Sequence, residues 1–247
     1  MKKYIALYLS ILLVPAIGFG AVIVDDDFSD LDRSKTGLLD ADWWSSSSTS
    51  GNSVEIDASG LGLITGTSGR GIHATFAPTT LAVGETITAT IDFTTPATVG
   101  FNKSTAFKLA MMSLNNPALA DDLSSSSSAV NPLYVGQPGY MSDFDVNGGP
   151  PSDISIRLHD VTSPLGRFLG TTSEWTDSGS SSDAGYMILA NTDYVATLSV
   201  ERTVSGVTVA STISQGGSEL DSHSRDYTDV ATDLGMLGIW GNSNTFG

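Results

Sequence analysis

From Tyr194 to Ile213 the chain reads YVATLSVERTVSGVTVASTI, with Tyr194, Ala196, Leu198, Val200 and Val204 on one parity and Val195, Thr197, Ser199, Glu201 and Thr203 on the other. A period of two is the mark of a strand with one buried face. Ser205-Gly206 supplies a turn, and a two-residue turn there sets Val204 opposite Val207, Arg202 opposite Val209 and Leu198 opposite Ile213. An isolated hairpin with one oily face is unstable in water, so this one demands a second sheet to cover it.

The same alternation recurs along the chain. Gly71 to Phe76 sets Ile72, Ala74 and Phe76 against His73 and Thr75, and Glu85 to Phe93 aligns Ile87, Ala89, Ile91 and Phe93. Phe107, Leu109 and Met111 mark a further strand. Tyr140 to Val146 opposes Tyr140, Ser142, Phe144 and Val146 to Met141, Asp143 and Asp145. In Asp153 to Asp160, Arg157 and His159 share the face opposite Ile154, Ile156 and Leu158. Val22 to Val24, Ser53 to Ile56, Leu61 to Ile64 and Leu234 to Trp240 read as shorter apolar strands. Asn-Pro, Gly-Gly-Pro-Pro and Ser-Gly punctuate them. Residues 118–132, the TTSEWTDSGSSSD stretch around Trp175, and Ser218 to Asp233 carry no clear period and read as loops or irregular chain. No segment sustains a 3.6-residue period. The expectation is an all-β fold: one antiparallel β-sandwich over residues 22–247.

Residues 1–21 read as a signal peptide: Lys2-Lys3, an apolar run from Tyr4 to Ile17, then small residues at Gly18, Gly20 and Ala21. Pro15 interrupts the run, which falls short of the roughly 20 apolar residues of a membrane span. Loss of the two lysines takes the formal charge from −16 to −18. Such a surface repels phosphate backbones and anionic lipid, so nucleic acid and, once the leader is gone, membrane insertion are not expected. The absence of Cys excludes thiolate catalysis and Cys-ligated zinc. The expected address is secreted, extracellular or at the cell surface, with a neutral glycan or a cation as partner.

The segments AFKLAMM, GYMSDFDV, ANTDYVATLSVERTVSGVTVASTIS and LGMLGIWGNS resemble, in this order, secreted bacterial proteins with a concanavalin A-like (LamG-like) jelly roll, many of which carry a PEP-CTERM sorting signal. The resemblance covers most of the mature chain and implies an exported glycan-binding domain. A final strand and the sorting signal usually follow the LGMLGIW equivalent, whereas this sequence stops at Gly247, so the domain reads as C-terminally incomplete. Because the last strand of such jelly rolls commonly pairs with the first, Val22 to Val24 is expected at a poorly paired sheet edge.

Three chemistries are weighed. A lectin-like module would use aromatic rings, with Trp43, Trp175 and Tyr140 as candidate glycan contacts and Asp27, Asp143 and Asp145 as candidate calcium ligands. Trp43 and Trp44 must face opposite ways on a strand, so at most one enters a common core. A polysaccharide lyase would need Arg157 as the cation, His159 or His73 as base and Tyr140 as acid, converging on one face. A structural matrix or surface protein would need no site. Neither an E-x-D-x-x-E strand nor a G-x-S-x-G elbow is present, so glycosidase and esterase chemistry is not expected. Catalysis is the weaker expectation; an extracellular glycan or polysaccharide is the expected partner.

Overall fold

The structure, a computed structural model, describes residues 8–14, 21–27, 32–34, 37–45, 54–57, 60–63, 70–95, 106–116, 134–145, 153–163, 169, 174–180, 185–228 and 231–241. The serine runs and the 118–132 stretch lie outside the described residues. The strands are β1 (Tyr8–Val14), β2 (Ala21–Asp26), β3 (Asp42–Ser45), β4 (Val54–Asp57), β5 (Gly60–Leu63), β6 (Arg70–Thr80), β7 (Thr86–Thr94) and β8 (Ala106–Met112). They continue with β9 (Gly139–Asp145), β10 (Ile154–His159), β11 (Trp175–Ser180), β12 (Asp193–Arg202), β13 (Val207–Gln215), β14 (Ser218–Tyr227) and β15 (Asp233–Gly241). No α-helix occurs among the described residues.

Two antiparallel sheets form the body, a six-stranded one in the order β14-β13-β12-β7-β1-β2 and a seven-stranded one in the order β11-β10-β9-β8-β15-β6-β3. The chain crosses between them repeatedly, which gives the antiparallel sandwich that the alternation predicts and the jelly-roll class that the resemblance implies. β4 and β5 pair as a separate hairpin. On β7 the burial strictly alternates: Ile87, Ala89, Ile91 and Phe93 are at most 3% exposed. Tyr194, Ala196, Leu198 and Val200 on β12 and Val207, Val209 and Ile213 on β13 extend the same oily face. The facing sheet contributes Ile72, Phe107, Leu109, Phe144, Ile156 and Ile239. Phe93 bridges the layers, its ring 5.0 Å from that of Phe107 in the facing sheet, and it stacks at 5.7 Å on Tyr194 in its own. Ser211, fully buried among them, donates its hydroxyl to Thr197 O at 2.7 Å, which removes the desolvation cost of the hydroxyl.

The β12–β13 hairpin differs from expectation in register. Arg202 pairs with Val207, Val200 with Val209 and Ala196 with Ile213. The turn is longer than two residues: Thr203 N donates to Gly206 O at 2.9 Å, and Val204 stands 89% exposed at the tip. The offset is two residues, so every side chain keeps its face.

Among the described residues β2 lies at the rim of the six-stranded sheet and pairs only with β1, as expected for Val22 to Val24. It is also fastened from the side: Asp25 N donates to Leu39 O at 2.9 Å, and Trp43 Nε1 donates to Asp26 Oδ2 at 2.8 Å. The opposite rim is β14, a ten-residue strand where irregular chain was expected. Its polarity misled the pattern: Asp221, His223, Arg225 and Tyr227 pair with the core-facing Ile213, Ser211, Val209 and Val207, so polar groups occupy its inner as well as its outer face.

Candidate functional site

The outer face of the seven-stranded sheet gathers the chemistry. Directly paired residues point the same way across a sheet. The pairings Trp240 with Lys108, Lys108 with Asp143 and Asp143 with Ser155 therefore define one row. A second row runs Trp44, His73, Gly238, Ala110, Met141, Arg157. A small apolar cluster of Met112, Met141, Met236, Trp175 and Trp240 lies among them, with Tyr134 and Leu169 packed against it from the loops.

Lys108 is 4% exposed; its ammonium donates to Leu169 O at 2.9 Å and stands 4.6 Å from the centre of the Trp240 ring. Arg157 Nε lies 3.3 Å from Asp143 Oδ2. Burial pulls the Lys108 ammonium down, opposed by Asp143 and reinforced by Arg157. Burial pushes the Asp143 carboxyl up, and Lys108 and Arg157 pull it back. Next along β9, Asp145 is pushed up to about 7, first by burial and then by the hydrogen bond and charge of Asp153.

His159 is 3% exposed and its Nδ1 lies 2.7 Å from Gln137 O. A carbonyl only accepts, so the ring proton sits on Nδ1 and Nε2 keeps its lone pair, buried and without a hydrogen-bond partner. Burial lowers the His159 pKa and holds the ring neutral. Trp175 closes over it at 4.8 Å between ring centres. Farther along the face, Tyr134 OH and His73 Nδ1 are 3.5 Å apart, with burial raising the phenol well above its ordinary value.

The sequence-derived candidates divide accordingly. Arg157, His159, His73, Trp175, Asp143 and Asp145 all occupy this face. Tyr140 does not: it points into the core, fully buried, and donates its hydroxyl to Ala231 O at 2.7 Å, so it cannot join Arg157 and His159 as their acid. Trp43 is likewise in the core, 1% exposed and bonded to Asp26, and it is Trp44 that turns outward, half-buried. Asp27 is exposed just past β2 on the other sheet. Among the described residues no group of three or more His, Asp or Glu is placed to hold a metal ion, so Asp27, Asp143 and Asp145 are not brought together as a calcium set.

Four participants lie outside the candidate set, the first being Trp44, whose neighbour Trp43 is the sequence-derived candidate. Trp240 and Lys108 sit in runs so apolar that their parity was unremarked, and Tyr134 sits in a stretch without any period.

Two indoles, one carboxylate and one imidazole on this face are left with polar atoms that are buried and lack a hydrogen-bond partner: Trp44 Nε1, Trp240 Nε1, Asp143 Oδ1 and His159 Nε2 supply two donors and two acceptors. All four atoms are shut off from solvent, so a molecule rich in hydroxyl groups reaches them only through displacement of the side chains that cover them, whereas the half-buried Trp44 ring is open on the face.

No family model matches the chain, and no curated protein matches it. Solved structures with a similar course include the VIP36 exoplasmic/lumenal domain in its Ca2+/Man2-bound form, with a TM-score of 0.47 and 10% identity over 87% of this chain and 80% of that one. The potassium-bound carbohydrate recognition domain of Emp46p gives 0.44 and 11% over 82% of each chain. Alginate lyase Aly36B in complex with an alginate trisaccharide gives 0.44 and 12% over 94% of this chain and 96% of that one. At these values none of the three says what this chain binds.

Proposed function

We propose that this chain is an exported, non-catalytic glycan-binding module that takes its ligand on the outer face of the seven-stranded sheet. The observation that carries the reading is the set of unpartnered polar atoms of Trp44, Trp240, Asp143 and His159, gathered beside Lys108 and Arg157 on one face. Pyranose faces stack on the half-buried Trp44 indole, and sugar hydroxyls meet the donors and acceptors once the side chains over them are displaced. Residues 1–21 act as the export leader, and the address is extracellular or at the cell surface. Calcium is a candidate cofactor through Asp143 and Asp145, with further oxygens coming from the ligand or water. A glycan array probed with and without a chelator tests the reading. Binding by the wild type that is lost in Trp44→Ala supports it, and silence in both arms sinks it. Loss of signal only in the chelator arm assigns the calcium.

A polysaccharide lyase is the second reading, favoured by the approach of the Tyr134 hydroxyl to His73 on the face that also holds Arg157 and His159. In that reaction a base removes the proton beside a uronate carboxylate, the C–O bond to the leaving sugar breaks, a C=C bond forms and an acid protonates the leaving oxygen. Ultraviolet absorbance from the unsaturated product, abolished in Tyr134→Phe, is its signature.

A further inference from the structure

A third row of the outer face runs from β15 to β11. Met236 pairs with Met112, and Met112 with Gly139. The register that sets Leu158 opposite Tyr140 carries His159 to the side of Gly139, and His159 pairs in turn with Trp175. Met141 follows Gly139 on the same face of β9, opposite Ala110 and Arg157. Two thioethers and an imidazole therefore stand around one glycine.

That glycine lets them approach. A Cβ at Gly139 would lie 2.5 Å from Met112 Cγ, so the Met112 side chain crosses the space above β9, on the path from β8 to β10 and His159. Met112, Met141 and Trp175 are buried in one cluster, and the buried His159 ring stands 4.8 Å from that of Trp175. Its Nδ1–H is held by Gln137 O at 2.7 Å, while Nε2 is buried without a hydrogen-bond partner. One ring nitrogen anchored on a backbone carbonyl and the other left bare is the arrangement of a metal-ligating histidine. A histidine that only filled space would leave the desolvation of Nε2 uncompensated.

The donors decide the ion. Thioether sulfur and neutral imidazole are soft and uncharged, which suits Cu(I) and offers a hard cation such as calcium none of the oxygens it requires. The Trp175 indole adds a π-face. Glu174, fully buried and next in the chain to Trp175, acts on the His159 ring as a negative charge, which offsets a single positive one. Arg157, the cation on the same strand, is engaged by Asp143. We propose that Met112, Met141 and His159 form a site for one soft monovalent metal ion, Cu(I), against the Trp175 ring. The site stands apart from the glycan reading, whose open ring, Trp44, lies on β3 at the opposite margin of the sheet.

Because these donors are closed to solvent, the full chain is refolded from urea with Ag(I), a redox-inert stand-in for Cu(I), in chloride-free buffer, and unbound ion is dialysed away. The wild type should retain one Ag(I) per chain, with sulfur and imidazole neighbours in its X-ray absorption spectrum. Leu replaces Met with little change of volume, so the double change Met112→Leu with Met141→Leu should fold. It should bind Ag(I) at least about tenfold more weakly in a competition titration, whereas Met187→Leu, at an exposed methionine, should bind as the wild type does. No retained silver in the wild type, a spectrum without sulfur, or equal affinity in the wild type and the double variant overturns the site. Should the double variant not fold, His159→Gln decides: loss of the imidazole signature supports the site, and an unchanged spectrum overturns it.

Discussion

Arg157 and Asp143 meet diagonally across β9 and β10, Nε to Oδ2 at 3.3 Å, with Lys108 directly opposite Asp143 on the other side. Side-chain exposures of 16% and 11% place this charge knot in a poorly solvated setting. Removing one partner there leaves a carboxylate whose desolvation is less compensated. Arg157→Met should therefore cost about 2–4 kcal/mol in urea unfolding at neutral pH. The double change with Asp143→Asn should recover part of that loss, and a purely additive double mutant would mean the two side chains do not interact.

The raised carboxyl of Asp145 predicts a stability profile. An ordinary Asp in the unfolded chain titrates near 4, whereas Asp145 in the fold holds its proton to about 7. Between those values the folded state binds more protons than the unfolded one, so this group makes stability fall as pH rises from about 4 to 7 and adds no slope above. Denaturant midpoints measured across that window should decline in the wild type and flatten in Asp145→Asn.

Neighbouring tryptophans should behave oppositely. Trp43→Phe removes the hydrogen bond to the buried Asp26 together with indole volume, at about 2–4 kcal/mol by thermal or urea unfolding. Trp44→Ala, on the outer face, should leave the unfolding midpoint nearly unchanged and weaken glycan binding. Binding loss in Trp43→Phe at temperatures where it stays folded, with Trp44→Ala intact, would reverse the assignment.

Two turn glycines differ in why they are glycine. A Cβ on Gly206 would lie 1.8 Å from Tyr227 O, a backbone atom that cannot step aside without moving the end of β14. Gly217 has φ +79° and open space around it. Gly206→Ala should cost about 1–3 kcal/mol through displaced packing, and Gly217→Ala roughly 1 kcal/mol through backbone strain alone. Similar losses at both positions would contradict the clash.

The His159 tautomer is directly observable. Nitrogen NMR of the imidazole should show Nδ1 protonated and Nε2 bare, and should show the ring titrating below the ordinary histidine range. A ring that titrates at or above that range would mean that burial does not govern the site.

The alternation of β7, β9, β10 and β12 is legible because each of these strands has one oily face and one wet or polar face, and the pattern also puts Arg157 and His159 together. It does not reveal how a turn closes, so the hairpin register slips by two without changing any face. Tyr140 shows the other limit: parity groups it with Phe144, and its phenol suggests chemistry, yet the hydroxyl is spent on Ala231 O inside the sandwich. Lys108 is hidden between apolar neighbours and Tyr134 lies in unpatterned chain, so neither is readable before the strands are laid side by side. β14 fails for a different reason, since polar groups on both faces erase the two-residue period that reveals other strands.

That double polarity limits how molecules of this protein can stack. A neighbouring copy seeking to extend the six-stranded sheet along β14 would have to bury Asp221, His223 and Arg225 on one side and approach Ser222, Ser224 and Asp226 on the other. Charge carried on an open strand is a common guard against fibrous growth. Lateral growth of this sheet is thereby left to the β2 rim, where Asp25 N is already taken by Leu39 O.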